Sequence, residues 1–353
     1  SLLEIKDVFV SYFSSGIDIA GCWEPIVENV WISYCGNNST NSPAMRIRSL
    51  GDAASDQTNN GHFSNLHFGG CEYIALNIES NCIRLVFSDI TAEIQYYQCV
   101  GIKNTGHDIS FKGLEIHGGA PCIQIGDSGI HTHRVTISTG TLYPAEDANT
   151  VRLWNVFDSS FSDLTIMMVG GHGIDGDNLY RLSFNCTMRG TKDVSNKYAF
   201  NIENGSQLKV NCNVKDVYSR AIYAYNINGM SVVGCTFEEC AKQTGHYIVH
   251  LEGCSNVVVE GNTFYSSLDS YPVRAVYAND PTVINIVNNT FHGYISSNPI
   301  SVVGTVLDCR IKGNIGYTTE NSGTATFSGD GITKSFSFAH GLVEAPSHVE
   351  ISP

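Results

Sequence analysis

Apolar residues recur along this chain in short groups at two-residue spacing, and the groups themselves recur every 23 to 27 residues. The clearest copies are Phe184-Asn185-Cys186-Thr187-Met188, Val210-Asn211-Cys212-Asn213-Val214, Val233-Gly234-Cys235-Thr236-Phe237, Glu260-Gly261-Asn262-Thr263-Phe264 and Asn288-Asn289-Thr290-Phe291. A fixed period of this length is the mark of a solenoid, in which one position from every coil stacks into a line along the interior. The centres Cys186, Cys212, Cys235, Asn262 and Asn289 form one such line, continued by Asn314 and preceded by Leu66, Ile90, Leu114, Val135 and Leu164. Aliphatics pack there as core, and cysteine follows as a small buried hydrophobe. Asparagine then fits because stacked amides hydrogen-bond to one another, and a buried amide is tolerated only when paired.

A second strand follows each copy. Its inward pairs read Ile17/Ile19, Met45/Ile47, Ile74/Leu76, Val100/Ile102, Ile123/Ile125 and Val151/Leu153, then Ile174/Gly176, Phe200/Ile202, Ile222/Ala224, Val249/Leu251, Val276/Ala278 and Ile300/Val302. Parallel strands ordinarily need long crossovers, but in a solenoid each turn is the crossover and helices are unnecessary. The prediction is an all-β chain, a single-stranded right-handed parallel β-helix of about 12 coils over residues 1–318. The polar stretch between Cys35 and Asn60 reads as an inserted loop. Residues 319–353 change pattern, with Thr324-Ala325-Thr326-Phe327, Ser335-Phe336-Ser337-Phe338 and His348-Val349-Glu350-Ile351 alternating around glycine turns. They read as the start of a small antiparallel C-terminal β-sandwich-like domain, incomplete in this chain.

Composition agrees with short strands and turns: 34 Gly, only 9 Pro and 15% charged residues in 353. The net charge of −14 repels phosphate backbones and argues against nucleic acid as a partner. No apolar run approaches the ~20 residues that span a bilayer. The start, Ser1-Leu2-Leu3-Glu4-Ile5-Lys6, lacks a signal-peptide pattern and reads as a cut within a longer protein. The 12 cysteines contain no CxxC pair, so they read as core residues rather than metal ligands. Isolated histidines such as His131, His133 and His107 read as solvated turn residues, and no metal site is assigned.

Because side chains alternate across a strand, the residues between the inward pairs share the outer face. The first outward column reads Gly101, Gln124, Arg152, Asp175, Asn201, Tyr223, His250 and Tyr277; the second reads Lys103, Gly126, Trp154, Asp177, Glu203, Tyr225, Glu252 and Asn279. Trp154, Tyr223, Tyr225 and Tyr277 would leave a large apolar patch facing water, which calls for an occupant. Flat rings suit the C–H faces of sugars, and Arg152, Asn201 and His250 supply polar contacts beside them; a covering loop or second chain is the alternative. Glycoside hydrolysis uses two carboxyl groups, ~5–5.5 Å apart for retention and ~6.5–9.5 Å for inversion. Asp177 and Glu203 fall on adjacent coils, roughly 5 Å apart, and Glu203 and Glu252 two coils apart, about 9–10 Å between backbones. Asp175, Asp177, Glu203 and Glu252 are therefore the candidate acids. No cofactor is needed for hydrolysis. A lyase would need a base and a group that neutralises a uronate carboxyl, which Arg152, His250 and Arg220 could supply, with calcium held by Asp175 and Asp177.

The coil pattern resembles the pectate-lyase-like β-helix superfamily, which includes polysaccharide lyases, polygalacturonase-type hydrolases and phage tailspikes. Gly171-His172-Gly173 matches the Gly-His-Gly element of the polygalacturonase-type hydrolases. Their Asn-Thr-Asp and Asp-Asp elements have no counterpart in the expected order, and Arg310-Ile311-Lys312 comes four to five coils late. The tail, with His340-Gly341-Leu342 and Ala345-Pro346, is similar to small C-terminal β domains of phage tail and archaeal surface proteins. The resemblance implies a polysaccharide partner, cleaved by hydrolysis or by lyase chemistry or bound by a non-catalytic adhesin or structural fibre. It also implies an extracellular or virion-surface location and a homotrimer.

Overall fold

The computed structural model describes residues 3–317, apart from 52, 95–96, 192, 268–273, 294 and 296–297. The segment expected to form a C-terminal β domain, 319–353, lies outside the described residues. The described chain is a parallel β-solenoid of about 12 turns, and every pairing between its strands is parallel.

One stack, called here the front sheet, takes a strand from each coil. Its strands are Ile17–Ala20, Met45–Arg48, Leu76–Glu79, Val100–Lys103, Ile123–Ile125, Val151–Phe157, Ile174–Tyr180, Phe200–Val210, Ile222–Val233, Tyr247–Glu252, Arg274–Asn279 and Ile300–Val303. The remaining strands, from Glu4–Ser11 to Asp308–Lys312, build the back of the coil. In the early coils the back strand bends at one residue in the left-handed region, namely Asp7, Asn29, Asn65, Asp89 and Asp163. Asn and Asp tolerate that conformation best among residues with a side chain. Their side chains also pair along the outside: Asn29 Nδ2 donates to Asp7 Oδ1 and Asn65 Nδ2 to Asn29 Oδ1, both at 2.9 Å.

Inside, the expected line is present. Cys186, Cys212, Cys235, Asn262, Asn289 and Asn314 are all buried. From Cys212 onward, each accepts the backbone N–H of its counterpart in the preceding coil. The thiols of Cys212 and Cys235 take the amides of Cys186 and Cys212 at 3.2 and 3.3 Å. The Asn262, Asn289 and Asn314 carbonyl oxygens take those of Cys235, Asn262 and Asn289 at 2.8 to 3.0 Å. The amide groups close the ladder, with Asn262 Nδ2 donating to Asn289 Oδ1 and Asn289 Nδ2 to Asn314 Oδ1. In the earlier coils, where the line is aliphatic, phenylalanines stack instead, Phe63 on Phe87 on Phe111 with centroids 4.6 and 4.5 Å apart. Burial raises the thiol of Cys235 to about 12, so it behaves as core rather than as a nucleophile.

Three expectations need correction. Leu114 pairs with Gly140, not with Val135, which pairs with Ile109. A Cβ on Gly140 would lie 2.4 Å from the Leu114 carbonyl oxygen, so the coil that breaks the aliphatic pattern does so because two backbones meet there. The third inward pair of the front sheet is Leu76/Ile78 rather than Ile74/Leu76. Ile74, Leu76 and Ile78 are all apolar, and either frame satisfies a period of two. The stretch between Cys35 and Asn60 is not wholly a loop, because Met45–Arg48 is a front-sheet strand paired on both sides.

Asn289 holds four hydrogen bonds in the interior. Asn289→Leu orphans the amide of Asn262 and the carbonyl of Val259, and should cost at least about 2 kcal/mol, given ~1–3 kcal/mol for each unsatisfied buried group. Asn213→Ala, at an exposed position of the strand Asn213–Lys215, should stay within about 0.5 kcal/mol. Urea unfolding midpoints of the two variants against wild type make the comparison.

Candidate functional site

The outward columns of the front sheet are in the expected register. Arg152, Asp175, Asn201, Tyr223, His250 and Tyr277 follow one another as Cα partners across successive coils. So do Trp154, Asp177, Glu203, Tyr225, Glu252 and Asn279. Adjacent coils lie ~4.8 Å apart, so the second column carries two carboxylates on neighbouring coils between a Trp and a Tyr. Glu203 and Tyr225 are exposed and the others half-buried, so the face is open along its length.

The two aspartates sit in different environments. Asp175 is clamped: Asn149 Nδ2 donates to Oδ2 at 2.7 Å and Asn201 Nδ2 to Oδ1 at 2.8 Å, with Arg152 Nε 3.8 Å away. Asp177 takes one amide, Asn204 Nδ2 at 2.9 Å, and Asn204 Oδ1 in turn accepts from Asn226 Nδ2 at 2.8 Å. Asn155, Asn178, Asn204 and Asn226 all occupy the left-handed region at the corner where the front sheet ends. Asn204 thus sits at a corner from which its amide orients Asp177. With both Asp175 oxygens and one of Asp177 already engaged, this pair does not offer the six to eight oxygens that calcium prefers.

Glu252 accepts the hydroxyl of Tyr223 at 3.1 Å and lies 4.0 Å from His250 Nε2. Burial, then this carboxylate, raises Tyr223 to about 12, so the phenol stays a donor. Burial and the charge of Arg220 lower His250 to about 4. Arg152 lies over the Trp154 ring at 5.2 Å. Tyr223, His250 and Tyr277 follow edge to face, with centroids 5.4 and 4.8 Å apart.

A third column was not recognised from sequence. Three residues before each member of the first outward column stand Asn149, His172, Tyr198, Arg220, Tyr247 and Arg274. Asn149, His172, Tyr198 and Arg220 lie in the turns entering the front sheet, Tyr247 and Arg274 are the first residues of their strands, and together they extend the face sideways. Tyr247 stacks on Tyr277 at 4.4 Å, Arg220 Nη1 donates to Tyr198 Oη at 2.8 Å, and Arg274 Nη1 to Tyr247 Oη at 2.7 Å. The constant offset of three was the available signal. His172 belongs here: its Nδ1 accepts the Tyr198 N–H at 3.0 Å, and its ring lies 5.2 Å from that of Tyr198. A Cβ at Gly171 would lie 2.0 Å from the Ala148 carbonyl oxygen, so tight coil packing accounts for the glycine before it. Burial lowers His172 to about 4 as well.

These two histidines set a pH dependence. Their folded pKa lies below the ordinary 6.5, so between pH 6.5 and about 4 the unfolded chain takes up protons that the folded chain refuses. Their contribution to stability is complete above pH 6.5 and falls away as pH drops through that window. Thermal unfolding at pH 7.5, 6, 5 and 4 should show wild type losing more melting temperature than the His172→Asn/His250→Gln variant. Parallel curves would contradict this.

No family model matches the sequence, and no curated protein matches it. Solved structures do match. PfbA, a surface adhesin of Streptococcus pneumoniae, is 11% identical over 85% of each chain with a TM-score of 0.60. DFA-IIIase of Arthrobacter chlorophenolicus, solved without its lid in complex with GF2, is 12% identical over 84% of this chain and 89% of its own, at 0.55. The receptor-binding domain of the siphovirus 9NA tailspike is 10% identical over 93% and 74%, at 0.54. At these identities the likeness is one of fold alone: like those structures, the chain is a right-handed parallel β-helix.

Proposed function

We propose that the front sheet binds a polysaccharide and cleaves it by hydrolysis, with Asp177 and Glu203 as the acid pair. The observation that carries the reading is the second column itself. Two outward carboxylates are Cα partners on adjacent coils, and the neighbouring coils place Trp154 on one side and Tyr225 on the other. The rings stand ~14 Å apart along the axis by strand spacing, so a saccharide lying on both crosses the carboxylates between them. Glu203 is exposed, while Asp177 is held by the Asn204 amide. One group is thus free to move a proton and the other is fixed in place, the division of labour that glycoside hydrolysis needs.

Asp175, clamped by two amides, positions Asn149 and Asn201 rather than reacting. Glu252, tied to Tyr223, and the rings of Tyr223, His250 and Tyr277 extend the binding face. The pair is complete within one chain, so the reading does not depend on the homotrimer that the tailspike resemblance implies. The likeness to a tailspike receptor-binding domain and a surface adhesin supports a surface-exposed setting for such a face.

The test is a panel of bacterial and plant polysaccharides, followed for new reducing ends and for unsaturated products together. Reducing ends without unsaturation are expected. Glu203→Gln and Asp177→Asn should each lower turnover by about 10²-fold or more, the usual contribution of a positioned acid or base, while binding stays within a few-fold. Trp154→Ala should instead weaken binding. Unsaturated products would replace hydrolysis with lyase chemistry, and binding without either product would leave an adhesin.

A further inference from the structure

We propose that the outer face of the back strands in the first three coils is a contact surface between copies of this chain, carried by Phe9, Trp31, Tyr12 and Tyr34. The surface belongs to other strands than the front sheet and does not depend on the saccharide reading.

Beyond their left-handed bends, the strands Glu4–Ser11, Ile26–Ser33 and His62–Gly69 run in register. Phe9, Trp31 and His67 therefore form one outward column, and Ser11, Ser33 and Gly69 form the next. Phe9 is 66% exposed and Trp31 48%. Tyr12 and Tyr34, one residue past their strands, are 78% and 55% exposed and continue the patch round the corner. The fold itself does not ask for rings here. From the fourth coil the same column reads Thr91, Glu115, Thr141, Thr165 and Thr187. Threonine is an ordinary residue for an exposed strand, so the aromatic residues of the first coils are surplus to folding.

The arrangement of the rings points to a protein partner. Tyr12 and Tyr34 stack with centroids 5.1 Å apart and planes 9° from parallel, and the Trp31 ring lies 3.8 Å from that of His67. Each ring covers a face of its neighbour and turns an edge to solvent, whereas a sugar stacks on an open face. Exposed Trp, Tyr and Phe are the residues in which protein–protein contacts are enriched. The charge of the face points to a second copy. The chain carries −14, yet the two columns hold no carboxylate until Glu93 and Glu115, beyond the third coil. Two copies repel least where neither brings an acid. The area is also sufficient. At ~200 Å² per aromatic side chain, the four rings present about 500 Å² to solvent. That is well over half of the ~800 Å² that each partner buries in a stable complex, and the half-exposed His67, Ser11 and Ser33 extend it.

The experiment is sedimentation velocity of the wild-type protein from about 1 to 100 μM, a range in which an interface of this size assembles, with tryptophan emission recorded alongside. Wild type should sediment as a multimer in the upper part of that range. Its emission should shift to the blue as Trp31, one of three tryptophans, loses contact with water. Trp31→Lys/Tyr34→Lys should raise the dissociation constant by about tenfold or more. Phe9→Lys, in the first coil, decides the matter if that pair fails to fold. A wild type that stays monomeric throughout would overturn the surface. So would association that these variants leave unchanged, which would place the contact on another face. Polysaccharide is then added to the Trp154→Phe protein, which lacks the front-sheet reporter. A blue shift there, at unchanged protein association, would also overturn the surface by giving its rings to a sugar.

Discussion

Coil stacks on coil at a fixed spacing, and every chemical property of this molecule depends on that register holding over some 300 residues. A slip of one residue would turn an entire column of side chains from the interior to the solvent. Apolar pairs alone do not forbid a slip of two, since Ile74, Leu76 and Ile78 satisfy either frame. The interior ladder is more exacting. A buried amide that moves by one rung loses its partners on both sides, and Asn262, Asn289 and Asn314 are bonded to backbone as well as to one another. The first half of the molecule, where the same line is aliphatic, relies on stacked phenylalanines and left-handed corners instead.

The same economy of amides shapes the outer face. Asparagines at the corners accept a backbone conformation that most residues avoid, and their side chains are then free to organise their neighbours. From Asn226 to Asn204 to Asp177 the order passes along three coils and ends on a carboxylate. Asn149 and Asn201 do the same for Asp175. Polar groups on a sheet surface are usually mobile and solvated. Here the solenoid repeats the same corner at the same height in each coil, so that a flat face acquires the preorganisation that binding and catalysis need.

Much of this was legible in the sequence, and for a definite reason. Period-two alternation fixes which residues of a strand face out, and the fixed coil period fixes which of them are neighbours. Both outward columns from Arg152 to Asn279 follow from those two rules. The turns obey neither. Tyr198 and Arg220 lie in turns and Tyr247 and Arg274 at the first residue of a strand, all ahead of the alternating pairs, and only their constant offset of three from the outward column betrays them. Gly140 and Gly171 could not be interpreted without knowing how closely the coils approach. The division of roles between Asp175 and Asp177 depends on Asn149 and Asn204, which belong to turns and corners. Reading Gly171-His172-Gly173 by its letters alone would have assigned a catalytic role to a histidine whose ring nitrogen receives a backbone amide.

The central claim is that a saccharide lies along the front sheet and crosses Asp177 and Glu203. The most direct test is a crystal structure of the Glu203→Gln protein with an oligosaccharide of the polysaccharide it recognises. The account predicts sugar rings on Trp154 and Tyr225 with a glycosidic oxygen between the two carboxyl positions. Sugar bound on another face, or the rings of the front sheet covered by a second copy of the chain, would contradict it.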